Sequence, residues 1–511
     1  MNRSAAIAAL AGSQPFDIAI VGGGATGLGA AVDAASRGCR VLLVEQADFA
    51  KGTSSRSTKL VHGGVRYLKQ GNVSLVLEAL RERGLLCRNA PHLVHDLAFV
   101  IPTYHWWEGP FYGIGLKVYD ALAGRLGLQP SRSLSRDDVL ELLPTIETDH
   151  LTGGIIYHDG QFDDSRLAIN LAQTAVEQGA VVINYMACTG LIKQRGHIIG
   201  LHLRDAESGA EHEVRAHCVI NATGVFADAL RQQDDAKAPQ LLRPSQGVHL
   251  VLPREFLPGD TAIMIPKTDD GRVLFAVPWH DRLVVGTTDT PVHHASLEPR
   301  ALPEEISFLL SHAARYLTRD PRRSDVLSVF AGLRPLVNAG QGSTASLSRD
   351  HHIEVSESGL ITITGGKWTT YRRMAEDVVD HAELMAGLQP RPCRTHDLAI
   401  HGATEDHHGS PWMSHYGSDA AAIEALAQPE RVHPKLELTH AEVLWHARHE
   451  MARTVEDVLA RRSRCLLLDA RASMEAAPVV AGILADELGR DKAWVETQTK
   501  AFRELAYGYV L

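Results

Sequence analysis

Long hydrophobic runs are missing from this sequence. Across 511 residues no stretch approaches the ~18 consecutive apolar residues that cross a bilayer as a helix. The apolar run Ala5–Ala11 follows a single Arg and lacks a polar cleavage region, which is a poor signal peptide, so the chain is expected in the cytoplasm. Cysteine is scarce and scattered: Cys39, Cys87, Cys188, Cys218, Cys393 and Cys465 show no metal-ligand spacing and no CxxC. They read as small buried hydrophobes in a reducing compartment, and no metal is expected. A basic excess is missing too. The formal charge is −10, whereas a nucleic-acid protein needs a basic surface for phosphates, so no such partner is expected. Repeats and low-complexity segments are absent. With 45% hydrophobic and 22% charged residues the composition is that of a globular chain. Its length, several times a typical domain of ~100–150 residues, predicts two or three domains.

The first positive signal is Phe16-Asp17-Ile18-Ala19-Ile20-Val21 running into Gly22-x-Gly24-x-x-Gly27. A buried parallel strand enters the glycines, and Ala30 to Ser36 reads as the helix that follows. Val41–Val44 is a second buried strand ending in Glu45. Gly22 allows the tight turn, Gly24 lets backbone approach a pyrophosphate, and Gly27 lets helix pack on strand. The helix N-terminus offers N–H groups and a positive dipole, and Glu45 stands where an acid grips ribose hydroxyls.

Three dispersed segments favour FAD over NAD. Lys51–Thr58, with Thr53, Ser54, Ser55 and Thr58, is a hydroxyl-rich loop suited to a second phosphate and a flavin edge. Val219–Gly224 is a buried strand ending in a small-residue turn at Ala222 and Gly224. Leu360–Tyr371 is a strand, a turn at Gly365-Gly366, and a helix start at Lys367 and Thr369. A helix start there would stabilise negative charge on a reduced flavin. Val181–Ala187 reads as a strand bringing Ala187 near the adenine. No second GxGxxG follows a strand, because Gly109–Gly115 has the wrong spacing. A separate nicotinamide site is therefore not expected, and electrons must leave the flavin for another acceptor.

In these segments the chain resembles the FAD-dependent glycerol-3-phosphate dehydrogenases of the aerobic, respiratory type. The resemblance covers nearly the whole chain. It rests on Thr53-Ser54-Ser55 leading to Lys59–Leu68 (KLVHGGVRYL), on Pro278-Trp279 with Val285–Asp289 (VGTTD), on Gly332–Leu336 (GLRPL), on Ser348-Arg349-Asp350, and on Gly365–Arg372 (GGKWTTYR). Trp368 stands where Leu is common in the family, and Gln246-Gly247-Val248-His249 where a Lys-Gly-Ser-His-like run is common. The resemblance implies FAD as cofactor, glycerol 3-phosphate as substrate and membrane quinone as acceptor. It also implies that Arg334, Arg349 and Lys367 contact the substrate while Arg66 and Tyr67 line the same pocket. The residue chemistry agrees: a phosphate-bearing substrate calls for cations that do not titrate and can fork onto oxygens. Alcohol oxidation also calls for a base, with His62 and His249 as candidates and Arg334 able to assist electrostatically.

The expected fold is α/β: a discontinuous Rossmann-like FAD-binding fold at residues 15–90, 150–230 and 330–385, an antiparallel-sheet substrate domain at 91–149 and 231–329, and a C-terminal helical cap at 390–511. Ala441–Arg461 and Ser473–Leu488 carry apolar residues at helical spacing. His105–Tyr119 concentrates Trp106, Trp107, Phe111, Tyr112 and Tyr119 around Lys117, which suits either a membrane interface or a substrate-domain core. Peripheral contact at the inner face of the cell membrane is expected, and a homodimer is compatible. Three alternatives stand: an oxidase passing electrons to O2, an amine-oxidising relative on the same fold, and a flavin-bound sensor without turnover. The basic site residues fit the second poorly, and His62, Arg334 and Lys367 together argue against the third.

Overall fold

The computed structural model describes residues 1–64, 72–269, 271–338, 351–405 and 412–511. Two sheets organise them. In spatial order the first runs His351–Val355, Leu360–Gly365, Glu211–Asn221, Phe16–Val21, Val41–Val44 and Val181–Ile183. All neighbours are parallel except the edge strand His351–Val355. Ile18, Ala19, Ile20, Leu42 and Leu43 are fully buried, because a parallel sheet is covered on both faces and its strands read as continuous apolar runs. Helix Ala25–Ser36 packs between helices Asp164–Glu177 and Tyr371–Met385 on one face. The ribbon Met186–Gln194 with His197–Asp205 contributes to the other. A Cβ at Gly27 would overlap the Gly22 carbonyl, so only glycine lets this helix start so close to its strand. The expected strand at 181–187 is broken by Tyr185, whose φ of 54° turns the chain between Val181–Ile183 and Met186–Gln194.

The second sheet has ten strands, centred on Ser245–Pro253, Arg282–Gly286, Leu274–Trp279, Ala262–Ile265, Val94–Thr103 and Gly153–Phe162. It is antiparallel apart from the step between Ala262–Ile265 and Val94–Thr103. Its side chains alternate with period two. Val251, Val284 and Phe330 face one core, and Leu250, Leu252, Val285 and Ala331 face another. Gly153–Phe162 and Ser328–Arg334 both belong to this sheet, although the expected limits at 150 and 330 place most of their residues with the FAD fold. A strand's local pattern states that it is a strand and not which sheet it joins.

The C-terminal helices His440–His449, Ala470–Leu488 and Lys492–Tyr507 share a core that reaches Val251, Trp279, Val284 and Phe330. Thr439 and Glu442 form a capping box at the first of them. The periodicity expected across 441–461 is not one helix. It breaks after His449, turns at Met451 with φ 53°, and resumes as a wide π-helical turn, Asp457–Arg462. No helix among the described residues is long and apolar enough to cross a membrane.

Candidate active site

Two adjoining cavities open at the carboxyl ends of the parallel strands, where ligands bind in open α/β sheets. One, of about 280 Å³, is lined by Gly22, Gly24, Glu45, Ser54, Ala222 and Gly224. The other, of about 490 Å³, is lined by Thr58, His62, His249, Arg334 and Thr369. Thr53, Gly366 and Lys367 belong to both walls. Gly27 packs helix on strand, the task its place in the motif predicts, and two expected cofactor residues stand off: the Ser55 carbonyl accepts from Lys59 Nζ at 2.8 Å, and Cys188 lines the wall where Ala187 is expected. Arg66, Tyr67 and Arg349 lie outside the described residues.

The smaller cavity fits a dinucleotide. A Cβ at Gly22, whose φ is 115°, would come within 2.5 Å of the Ala222 carbonyl oxygen, so the cradle is bare backbone. Ser54 Oγ accepts from the Ala25 N–H at 2.9 Å, tying the hydroxyl loop to the helix start. Glu45 accepts from Gly23 N at 2.7 Å and Ala47 N at 2.9 Å, and burial raises its pKa. Trp368 donates its indole N–H to the Ser54 carbonyl at 2.9 Å, joining the loop to the Gly365-Gly366 turn.

The larger cavity holds the candidate chemistry. Arg334, at the end of Ser328–Arg334, places Nη2 3.0 Å from the Thr288 carbonyl and 3.2 Å from Thr287 Oγ1, with Nη1 3.4 Å from Asp289. Ser245 Oγ donates to the same Asp289 oxygen. His249 stacks on Phe330 with ring centroids 4.8 Å apart, and its Nε2 is 2.9 Å from Thr58 Oγ1. Burial pushes its pKa well below the ordinary value, and Lys59 and Arg334 push the same way, so the imidazole is neutral. The His62 N–H donates to Thr369 Oγ1 at 3.2 Å. Arg56 lines the cavity but is committed to Glu298 at 2.5 Å.

Thr287, Thr288 and Asp289 stand in the VGTTD motif, yet their task of aiming Arg334 is not written in that motif. Lys59 is fully buried, with Nζ on both oxygens of Asp164 at 2.8 and 2.7 Å. No sequence signal marks this pair, because its halves are far apart in the chain. Among the described residues one trio has metal-ligand geometry, Glu376, Cys393 and His396. Arg372 and Arg373 already hold Glu376 at 2.9 and 3.2 Å, which disfavours a cation there.

The FAD dependent oxidoreductase family matches residues 17–372, and the family described as the C-terminal domain of alpha-glycerophosphate oxidase matches residues 360–495. The chain is 39% identical to the mitochondrial glycerol-3-phosphate dehydrogenase of Homo sapiens, over 99% of this chain and 75% of that protein. It is 41% identical to the Arabidopsis thaliana mitochondrial enzyme, over 98% and 87%. The glycerol-3-phosphate dehydrogenase of Bacillus halodurans, solved with FAD, superposes with a TM-score of 0.80 at 27% identity, covering 100% of this chain and 98% of that one.

Proposed function

The chain belongs to the family of FAD-dependent glycerol-3-phosphate dehydrogenases, and on that premise we propose that it oxidises sn-glycerol 3-phosphate to dihydroxyacetone phosphate and hands the electrons to membrane quinone. The observation that carries the reading is the meeting, in one cavity, of Arg334 and a neutral His249 with Lys367, which also lines the dinucleotide cavity. Bound FAD supplies a hydride acceptor at N5. Arg334 forks onto phosphate oxygens without titrating. Lys367, just before the turn Trp368–Thr370 and the helix Tyr371–Met385, adds positive charge where the reduced cofactor becomes anionic. His249 Nε2 accepts the C2 hydroxyl proton as the C2–H bond gives up its hydride. Burial first, and then Lys59 and Arg334, disfavour the resulting imidazolium.

The acceptor reading rests on the rest of the wall. Leu60, Phe99, Tyr157, Met264 and Phe275 form an apolar arm of the larger cavity. Leu60, Phe99, Tyr157 and Met264 share a core with Leu116, and Tyr112 packs against it. Leu116 and Tyr112 lie on helix Glu108–Ala123, beside which Trp106 is 86% exposed, and Trp107, Phe111, Ile114 and Val118 are exposed as well. Apolar contact thus continues from the cavity wall to an uncovered aromatic patch, which suits a lipid-soluble acceptor and peripheral docking on a membrane.

Anaerobic mixing with glycerol 3-phosphate is expected to bleach the flavin, and a quinone analogue to restore its colour. A flavin that never bleaches would sink the substrate and favour the sensor. Bleaching followed, once air is admitted, by stoichiometric peroxide and no quinone reduction would make the chain an oxidase.

A further inference from the structure

The segment from Gln46 to Thr53 forms one wall of the dinucleotide cavity, through Gln46, Ala50, Lys51, Gly52 and Thr53. Up to Gly52 it contains neither helix nor strand, and its own backbone holds it by a turn bond from the Lys51 N–H to the Asp48 carbonyl at 3.2 Å. Its outer side is covered by the C-terminal region. Asp48 is fully buried and faces both Arg461 Nε and Arg462 Nη1. Arg461 also reaches Glu456 and Asp457, each at 2.7 Å. Glu456 in turn receives Lys51 Nζ at 2.8 Å. Arg462 Nη2 is anchored on the Glu450 carbonyl at 2.7 Å. Asn184 Nδ2 bonds the Met451 carbonyl at 2.9 Å and Asp48 at 3.3 Å. The C-terminal region therefore grips the segment at Asp48 and at Lys51. Between them lie Phe49, fully buried against Gly23, and Ala50, whose N–H donates to the Gly23 carbonyl at 2.9 Å. The grip leads straight to the glycine cradle.

Buried ion pairs are weak sources of net stability, because desolvation offsets their attraction, and apolar side chains would pack the same volume. What such a network does supply is a fixed geometry. We propose that the C-terminal helical region is a clamp for the cofactor: Arg461 and Arg462 are positioning residues that hold Asp48, and through it the Gln46–Thr53 wall, in the shape that retains the dinucleotide. The clamp rests on the FAD reading above and adds to it a task for the C-terminal region.

The test uses full-length holoenzyme of the wild type, Arg461→Gln, Arg462→Lys and Glu456→Gln. Glu456 does not line the cavity, and its amide variant keeps the shape, so it folds even if Arg461→Gln does not. Free-flavin fluorescence after dilution measures FAD release, thermal melting measures stability, and KM for glycerol 3-phosphate is read at saturating FAD. Release is expected to quicken at least tenfold in Arg461→Gln and several-fold in Glu456→Gln, with Arg462→Lys in between and KM within twofold of wild type. Unchanged release from folded variants, with only the melting temperature lowered, would overturn the clamp. Wild-type protein that neither carries nor takes up FAD would overturn the cofactor reading and the clamp with it.

Discussion

Gly247 sits where the guanidinium of Arg334 needs room. A Cβ there would overlap Arg334 Nη2 and approach Thr287 Oγ1 to 2.7 Å. The tip of an arginine moves at little expense in folding energy, so the damage should fall on recognition rather than on stability. Gly247→Ala is expected to raise KM for glycerol 3-phosphate at least tenfold while the melting temperature moves by no more than a few degrees. Steady-state kinetics beside a thermal melt checks this, and an unchanged KM would remove Arg334 from phosphate binding. The departure from the family run at Gln246 has a local account as well. Its amide donates to Glu305 at 2.8 Å and to the Arg300 carbonyl at 2.9 Å. Glu305 also takes Thr288 and Thr290, so a neutral donor completes a hub that a lysine would make an ion pair. At this scale the sequence was informative where a residue sat in a motif, as Arg334, His249 and Lys367 do. It was silent where a residue matters through a distant partner, as with Lys59 on Asp164.

Elements divide the same way. The strand, glycine turn, helix and second strand from Phe16 to Val44 were legible because each signal is local: a buried apolar run, three glycines, and an alanine-rich helix. Sheet membership was not legible, as Gly153–Phe162 shows, since pairing is decided by residues far along the chain. By its sequence the aromatic stretch after His105 suits an interface or a core. The helix Glu108–Ala123 shows both faces, Leu116 and Tyr119 buried and Phe111, Ile114 and Val118 exposed. Its outer face is the membrane contact proposed above. Replacing Trp106, Trp107 and Phe111 together by Ser should cut co-sedimentation with anionic liposomes at least tenfold and leave flavin bleaching intact. Full membrane binding by the folded triple variant would refute the docking role.

Over the whole molecule, buried histidines set an acid limit. Burial lowers the pKa of His92 to about 4 and of His446 to about 3, and lowers those of His249, His280 and His415. Above pH ~6.5 these groups are neutral whether folded or unfolded, so they have no effect on stability. Below it the unfolded chain binds protons that the folded chain refuses, so stability falls with pH until the folded value is reached. By pH 5 a group such as His92 or His446 removes about 2 kcal/mol. His401, raised chiefly by hydrogen bonding to Asp419 against the opposing effect of burial, acts the other way. Carboxylates held low, such as Glu450 at about 2, lose their contribution progressively as pH falls from the usual carboxylate range to the folded value. Melting of the holoprotein is therefore expected to drop by several degrees between pH 7 and pH 5, the histidines outweighing the opposite effect of Glu45 and Glu442, whose pKa values burial raises, and a flat profile over that window would contradict it. The contact between Asp48 and Arg462 closes only after a long stretch of synthesis. Its partners are 414 residues apart. At ~5–20 residues per second of synthesis, Asp48 leaves the ribosome roughly 20–80 seconds before Arg462 exists to meet it. The nascent amino-terminal fold must wait through that interval with a carboxylate destined for burial still in water, so the clamp proposed above can retain cofactor only once Arg462 has been made.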